Sequence, residues 1–119
     1  MFEEWQRCSG WLQEALDHAG NLFSLEDVWQ EVVSGNAIFL PGIDAAVVVE
    51  VRVYPQKRVM NCWLAGGNLE ELERVFAPMI RYYAKKFECE LIMIQGRAGW
   101  KRVFNMQQCG VVLVEKVQS

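Results

Sequence analysis

Cysteine and histidine are few in this 119-residue chain, and they are scattered. Cys8, Cys62, Cys89 and Cys109 are widely spaced, and no two form C-x-x-C. That pattern excludes a zinc knuckle and a dithiol redox pair. His18 is the only histidine; it has no second ligand at metal spacing and no Ser or Cys partner in a recognisable motif. No metal site is therefore expected, and His18 reads as a helix C-terminal residue facing the dipole. The cysteines read as small hydrophobes. Basic residues are also scarce: 12 Lys and Arg stand against 15 Asp and Glu, giving a net charge of −3 and a pI near 5.2. A nucleic-acid binder usually carries a basic face, so no nucleic-acid partner is expected. No apolar run reaches the length of a membrane span, so no membrane partner is expected either. The opening "MFEEWQRCSG" begins with acids and lacks an apolar core, so it does not read as a signal peptide. Reduced cytosolic thiols are the expected state of the cysteines. Internal repeats, low-complexity tracts and linkers are missing as well.

What is present is apolar and periodic. Hydrophobic residues make up 52% of the chain, which argues against disorder and suffices for one domain, 1–119, with one core. Glu3 to His18 has Trp5, Cys8, Trp11, Leu12, Ala15 and Leu16 at helical spacing. This N-terminal helix 3–18 reads as peripheral; Gly10 weakens it and Gly20-Asn21 ends it. Ser24 caps a second helix, with Asp27 placed for a reciprocal capping box and Gly35 as the C′ residue.

"AIFL" is a short strand stopped by Pro41-Gly42. Ala45 to Tyr54 is a long strand with Val47, Val49, Val51 and Val53 on one face and Val48, Glu50, Arg52 and Tyr54 on the other. Arg58 to Ala65 returns as its hairpin partner. A three-residue loop places Glu50 opposite Cys62, and a two-residue loop does not. Leu69 to Phe87 is the strongest helix, capped by Asn68, with Leu69, Leu72, Val75, Phe76, Met79, Ile80 and Tyr83 as its stripe. Pro78 should kink it, because the proline lacks the N–H that would bond Arg74. Glu90 to Gln95 is a buried strand, "GRAGWKRVFNM" a glycine turn and short helix, and "VVLVEKV" from Val111 a final strand. A hairpin, a crossover helix and a further strand predict an α+β fold: a mixed, mostly antiparallel sheet with helices on both faces.

That order resembles the GNAT fold of acyl-CoA-dependent acetyltransferases over roughly Ser24 to Val117. The phrases "LEDVWQEVVSGNAIFLPG", "CWLAGG-LEEL" and "IQGRAGWKRVF" resemble small GNAT-like proteins that tailed phages and prophages encode among virion-assembly genes. The resemblance implies residence in the bacterial host cytoplasm or in the virion. GNAT enzymes hold the CoA pyrophosphate on a Gln/Arg-x-x-Gly-x-Gly/Ala loop after the fourth strand. Here Gly66-Gly67-Asn68 stands in that place, but Trp63 occupies the Gln/Arg position and Asn68 the last small one. If Gly67 is the first glycine, those places hold Leu64 and Leu69. Glu70, Glu71 and Glu73 would also repel a phosphate. The turn therefore reads as a strand-to-helix connection, with a backbone nest as the opposing argument.

Two further places carry candidate chemistry. Glu50 is the general-base candidate, and the competing reading is a solvent-facing Glu beside Arg52. Tyr54, Tyr82 and Tyr83 could act as acids but sit where packing explains them. "GRAGWKR" brings Arg97, Trp100, Lys101 and Arg102 to a glycine turn, as a partner or anion site. The five tryptophans either build the core or mark a binding surface.

The expected function is that of a non-catalytic phage or prophage protein working through contacts with a viral or host protein, in virion assembly, with no cofactor. Homo-oligomers are compatible with it. One alternative is a divergent N-acetyltransferase that holds acetyl-CoA at Gly66, Gly67 and Asn68 and uses Glu50 as base. Another is a small anti-host factor that binds one host protein.

Overall fold

The computed structural model describes residues 1–95 and 106–118. Its centre is one four-stranded sheet in the order β1 (Ile38–Pro41), β2 (Ala45–Val53), β3 (Arg58–Gly67), β4 (Leu91–Ile94). β1–β2 and β2–β3 are antiparallel and β3–β4 is parallel. A parallel neighbour needs a crossover. It is supplied by a continuous helical stretch: α3 (Leu69–Glu71), a π-helical turn (Leu72–Phe76) and α4 (Ala77–Lys86). The mixed α+β architecture expected from element order is the one observed.

Helices α1 (Phe2–His18) and α2 (Leu25–Val33) cover one face. There Trp5, Cys8, Leu12, Leu16, Val28 and Val32 pack on Phe39, Ala46, Val48 and Leu64. Far from lying at the periphery, α1 supplies four of the residues of this core. The opposite face packs Val47, Val49, Met60, Cys62 and Ala65 against Leu72, Phe76, Ala77, Ile80 and Ala84. Ala45 to Val49 is buried without interruption because the sheet is covered on both sides there. Trp5 sits 5.0 Å from both Trp29 and Phe39, ring to ring. Among the described residues the tryptophans are buried or half-buried, so they build the core rather than an exposed patch.

Local signals set the helix ends. Ser24 Oγ accepts from the Asp27 N–H at 3.1 Å, and the Asp27 carboxylate accepts from the Ser24 N–H at 2.8 Å, completing the capping box. Gly35 closes α2 in a left-handed conformation, φ +85°.

One open choice is settled and two expectations need correction. The hairpin loop has two residues, with Tyr54 N–H donating to Lys57 O at 2.8 Å, so Glu50 faces Asn61. A bulge then leaves Trp63 without a partner between the Val49–Cys62 and Val48–Leu64 pairs. Second, Val75 and Leu69 are exposed, at 48% and 59%. The helix accommodates Pro78 by widening: the Ala77 N–H bonds Leu72 O five residues back. That extra residue in the turn carries Val75 off the core face and brings Ala77 onto it. Third, Val111–Val117 is not a strand of this sheet; residues 107–118 are exposed and carry no secondary structure. Strand propensity alone does not make a strand; that takes pairing with a neighbour, and this segment pairs with none among the described residues. The short helix expected in "GRAGWKRVFNM" falls largely on residues 96–105, outside the described residues.

Candidate functional site

The glycine turn after β3 is the place where a phosphate cradle would stand. β3 runs on through it: Gly66 pairs with Ala46 and Gly67 with Ala45. Gly66 lies directly under α1, and a Cβ there would stand 2.4 Å from the Trp11 carbonyl oxygen. Gly67 has φ +108°, and its Cβ would meet Asp44 O at 2.4 Å. Both positions therefore need glycine for packing or backbone shape. The Asn68 N–H donates to Asp44 O at 2.8 Å, and the Asn68 side-chain oxygen accepts from the Glu71 N–H at 2.9 Å.

Across this turn lies the loop Gly42-Ile43-Asp44. The N–H groups of Ile43 and Asp44 both point at Glu71, whose two carboxylate oxygens accept from them at 2.9–3.1 Å. Successive amides aimed at one anion form a nest. Here the anion is the protein's own. Arg7 grips the same loop from α1, donating to Ile43 O at 3.0 Å and to Gly42 O, while Glu4 holds Arg7 in an ion pair at 2.7 Å. Hydrogen bonding to Arg7 in turn holds the Glu4 carboxyl below its ordinary range. The loop is thus fixed from both faces of the sheet. Sequence reasoning took Glu71 only as one of three glutamates that would repel a phosphate and gave Arg7 no role.

Glu50 stands on the α1 side of β2, beyond the end of that helix. Its side chain is 17% exposed, not solvated as a surface glutamate would be. One oxygen, Oε1, accepts from Arg52 Nε at 2.5 Å and from Asn61 Nδ2 at 3.1 Å. Burial works against the Arg52 cation, but hydrogen bonds with Tyr54 and Glu50 more than offset it, and the Arg52 pKa is raised. Arg52 and Asn61 line a shallow hollow of about 150 Å³ with Leu16, Leu22, Phe23, Trp63 and Gln95. The bulge turns Trp63 into this wall, where Phe23 meets it edge-on at 5.0 Å. Asn61 is 4% exposed, and its Oδ1 has no hydrogen-bond partner among the described residues. A polar residue inside the apolar run "RVMNCWLA" was the available signal for it.

The hollow thus gathers Arg52 and Asn61, both hydrogen-bonded to Glu50, and leaves Gly66, Gly67 and Asn68 in the separate turn. Arg97, Trp100, Lys101 and Arg102 lie outside the described residues. Tyr54 and Tyr82 are exposed, and Tyr83 stacks on Phe87. Cys62 is buried under the sheet's second face, and burial pushes its thiol up to about 12, so it is no nucleophile. Among the described residues, no group of three or more His, Cys, Asp or Glu could hold a metal ion, and no helix is long and apolar enough to cross a membrane.

Among the described residues, the most exposed apolar stretch is Val111–Val117. Val111, Val112, Leu113, Val114 and Val117 are 70–95% exposed, five apolar side chains within seven residues.

Comparison with protein-family models, with curated proteins and with solved structures finds no match.

Proposed function

We propose that this is a non-catalytic protein on a GNAT-like frame that works through protein contacts, in a phage or prophage setting and in virion assembly. The observation that carries the contact reading is the exposure of Val111, Val112, Leu113, Val114 and Val117. Contiguous exposed apolar side chains mark interaction surfaces, and burying each would stabilise a complex by about 1.5–3 kcal/mol. Support for the non-catalytic part comes from the glycine turn. A pyrophosphate there would meet α1 pressed on Gly66 and an Asn68 N–H already bonded to Asp44 O, and one in the neighbouring nest would need to displace Glu71 from two amides. Displacing a charge-assisted pair of hydrogen bonds costs about 1.5–3 kcal/mol for each bond before any ligand contact forms.

One observation favours the acetyltransferase reading instead. The parallel pairing of β3 and β4 stops at Cys62–Ile94, and the bulge at Trp63 follows at once. A cleft for acetyl-CoA would open there, with Glu50 held behind the Arg52 and Asn61 side chains that line the hollow. Calorimetric titration with acetyl-CoA separates the two. The contact reading expects no saturable heat in the low micromolar range; saturable binding that is lost in a Gly67→Glu variant melting as wild type does supports the enzyme reading. Recovery of partners from infected or lysogenic cells then compares three proteins: wild type, a chain ending at Gly110, and Arg97→Ala/Lys101→Ala. The contact reading expects the chain ending at Gly110 to lose partners that wild type retains. Equal recovery by all three would remove both segments from the function.

A further inference from the structure

Among the described residues, the outer edge of β4 is an apolar edge without a partner. β4 is the last strand of the sheet, so one side of its backbone has no ladder among the described residues. Its sequence is Leu-Ile-Met-Ile; Leu91 is 49% exposed and the other three are half-buried. Proteins usually blunt such an edge with charge or proline. β1, at the other side of the sheet, ends in Pro41, whereas β4 has neither device.

The same chain carries an apolar segment without an edge. Val111–Val117 reads V-V-L-V-E-K-V, rich in strand-forming residues and without proline or glycine. Met106 is half-buried against the same core cluster that Ile92 and Ile94 pack on, and from Gln107 onward the chain is exposed. The segment therefore leaves its own sheet instead of lying on it.

We propose that two copies of this chain exchange Val111–Val117, each laying the segment along the outer edge of the other's β4. The inference rests on reading this segment as a contact surface, and names its partner. Strand addition of this kind draws on backbone hydrogen bonds, with alternate side chains seated on the sheet faces. Donor and acceptor occur once on every chain, so two-fold exchange satisfies both copies and leaves neither edge open. Glu115 and Lys116 cancel in charge and β4 has no charged residue, so nothing in the joint repels an identical copy.

The test is hydrogen exchange on the whole protein, read beside its mass by light scattering. Exchange of the Val111–Val117 amides should slow at least about tenfold between about 1 and about 100 μM protein, as mass action requires for a joint between chains. The mass should rise toward twice the 13.7 kDa of one chain. Both effects should vanish in the full-length Val112→Asp/Val114→Asp variant and in a chain ending at Gly110, each melting as wild type does. Slow exchange that is the same at every concentration puts the strand on its own sheet and overturns the proposal. So does fast exchange throughout, or a dimer that survives both variants. A monomer that still recovers its partner from lysogenic cells keeps the contact function and rejects this joint alone.

Discussion

Replacing Gly66 by alanine should destabilise the protein by about 1–3 kcal/mol, toward the upper end of that range. The added Cβ would stand 2.4 Å from the Trp11 carbonyl oxygen, 3.0 Å from its carbon and 3.3 Å from the Trp11 Cβ. The first two are backbone atoms in the middle of α1, so no side-chain rotation relieves the overlap. The helix itself must lift, and it carries Trp5, Cys8, Leu12 and Leu16 into the core. Gly10 is the internal control. It lies in the same helix, and a Cβ there meets nothing within 4 Å. Gly10→Ala should therefore stabilise by about 0.5–1 kcal/mol, from the backbone entropy that glycine loses in a helix. Urea unfolding followed by tryptophan fluorescence measures both. With a slope of about 1–3 kcal/mol per molar, the two midpoints should move in opposite directions by a readable amount. Suppose instead that Gly66→Ala unfolds with wild type, within about 0.5 kcal/mol, and only an acetyl-CoA affinity falls. Then the glycine serves a ligand and not the helix above it, and the reasoning about this turn fails.

The widened turn before Pro78 makes a paired prediction: Phe76→Ala, at a site 0% exposed, should cost about 3–5 kcal/mol, and Val75→Ala, at a site 48% exposed, less than about 1 kcal/mol. Equal losses in denaturant unfolding would restore a regular helix with Val75 on the core face. Ser24→Ala should cost about 1 kcal/mol by leaving the Asp27 N–H uncapped; a loss below about 0.3 kcal/mol would show that the box does not hold α2. The Asp27 carboxyl, hydrogen-bonded to the Ser24 backbone N–H, has its pKa lowered from 3.8. Its contribution is then complete above about pH 4 and lost as the pH falls through the lower folded value. Melting curves of wild type and Asp27→Asn should differ at pH 6 and converge in acid, and a gap that widens on acidification would reverse the sign.

How much of this was legible in the sequence depended on the range of the interaction. Ser24 and Asp27 meet across one helical turn, and Gly35 acts on its own backbone, so both were readable. The alternation of β2 sorted Val47 and Val49 from Val48 correctly, because a strand's period is local. Pro78 announced a disturbance, but not that the chain would answer it with a π turn and a shifted stripe. The strand propensity of Val111–Val117 said nothing of where a partner edge lies. The clamp on Gly42-Ile43-Asp44 was invisible: Arg7 and Glu71 come to that loop from 36 residues before Ile43 and 28 residues after it. Gly66 and Gly67 show the limit most clearly. A phosphate cradle and a close backbone crossing both require a position without a Cβ, so the two leave the same letters in the sequence. Only the atom that fills the space across from the glycine separates them, and here it is the backbone of Trp11 on one side and of Asp44 on the other. The nearby nest has its carboxylate in Glu71, one turn into the helix that the glycines precede. A strand, a glycine pair and an acidic helix start can thus satisfy their own anion site, and the glutamate that does so is the residue to test before any ligand is sought there.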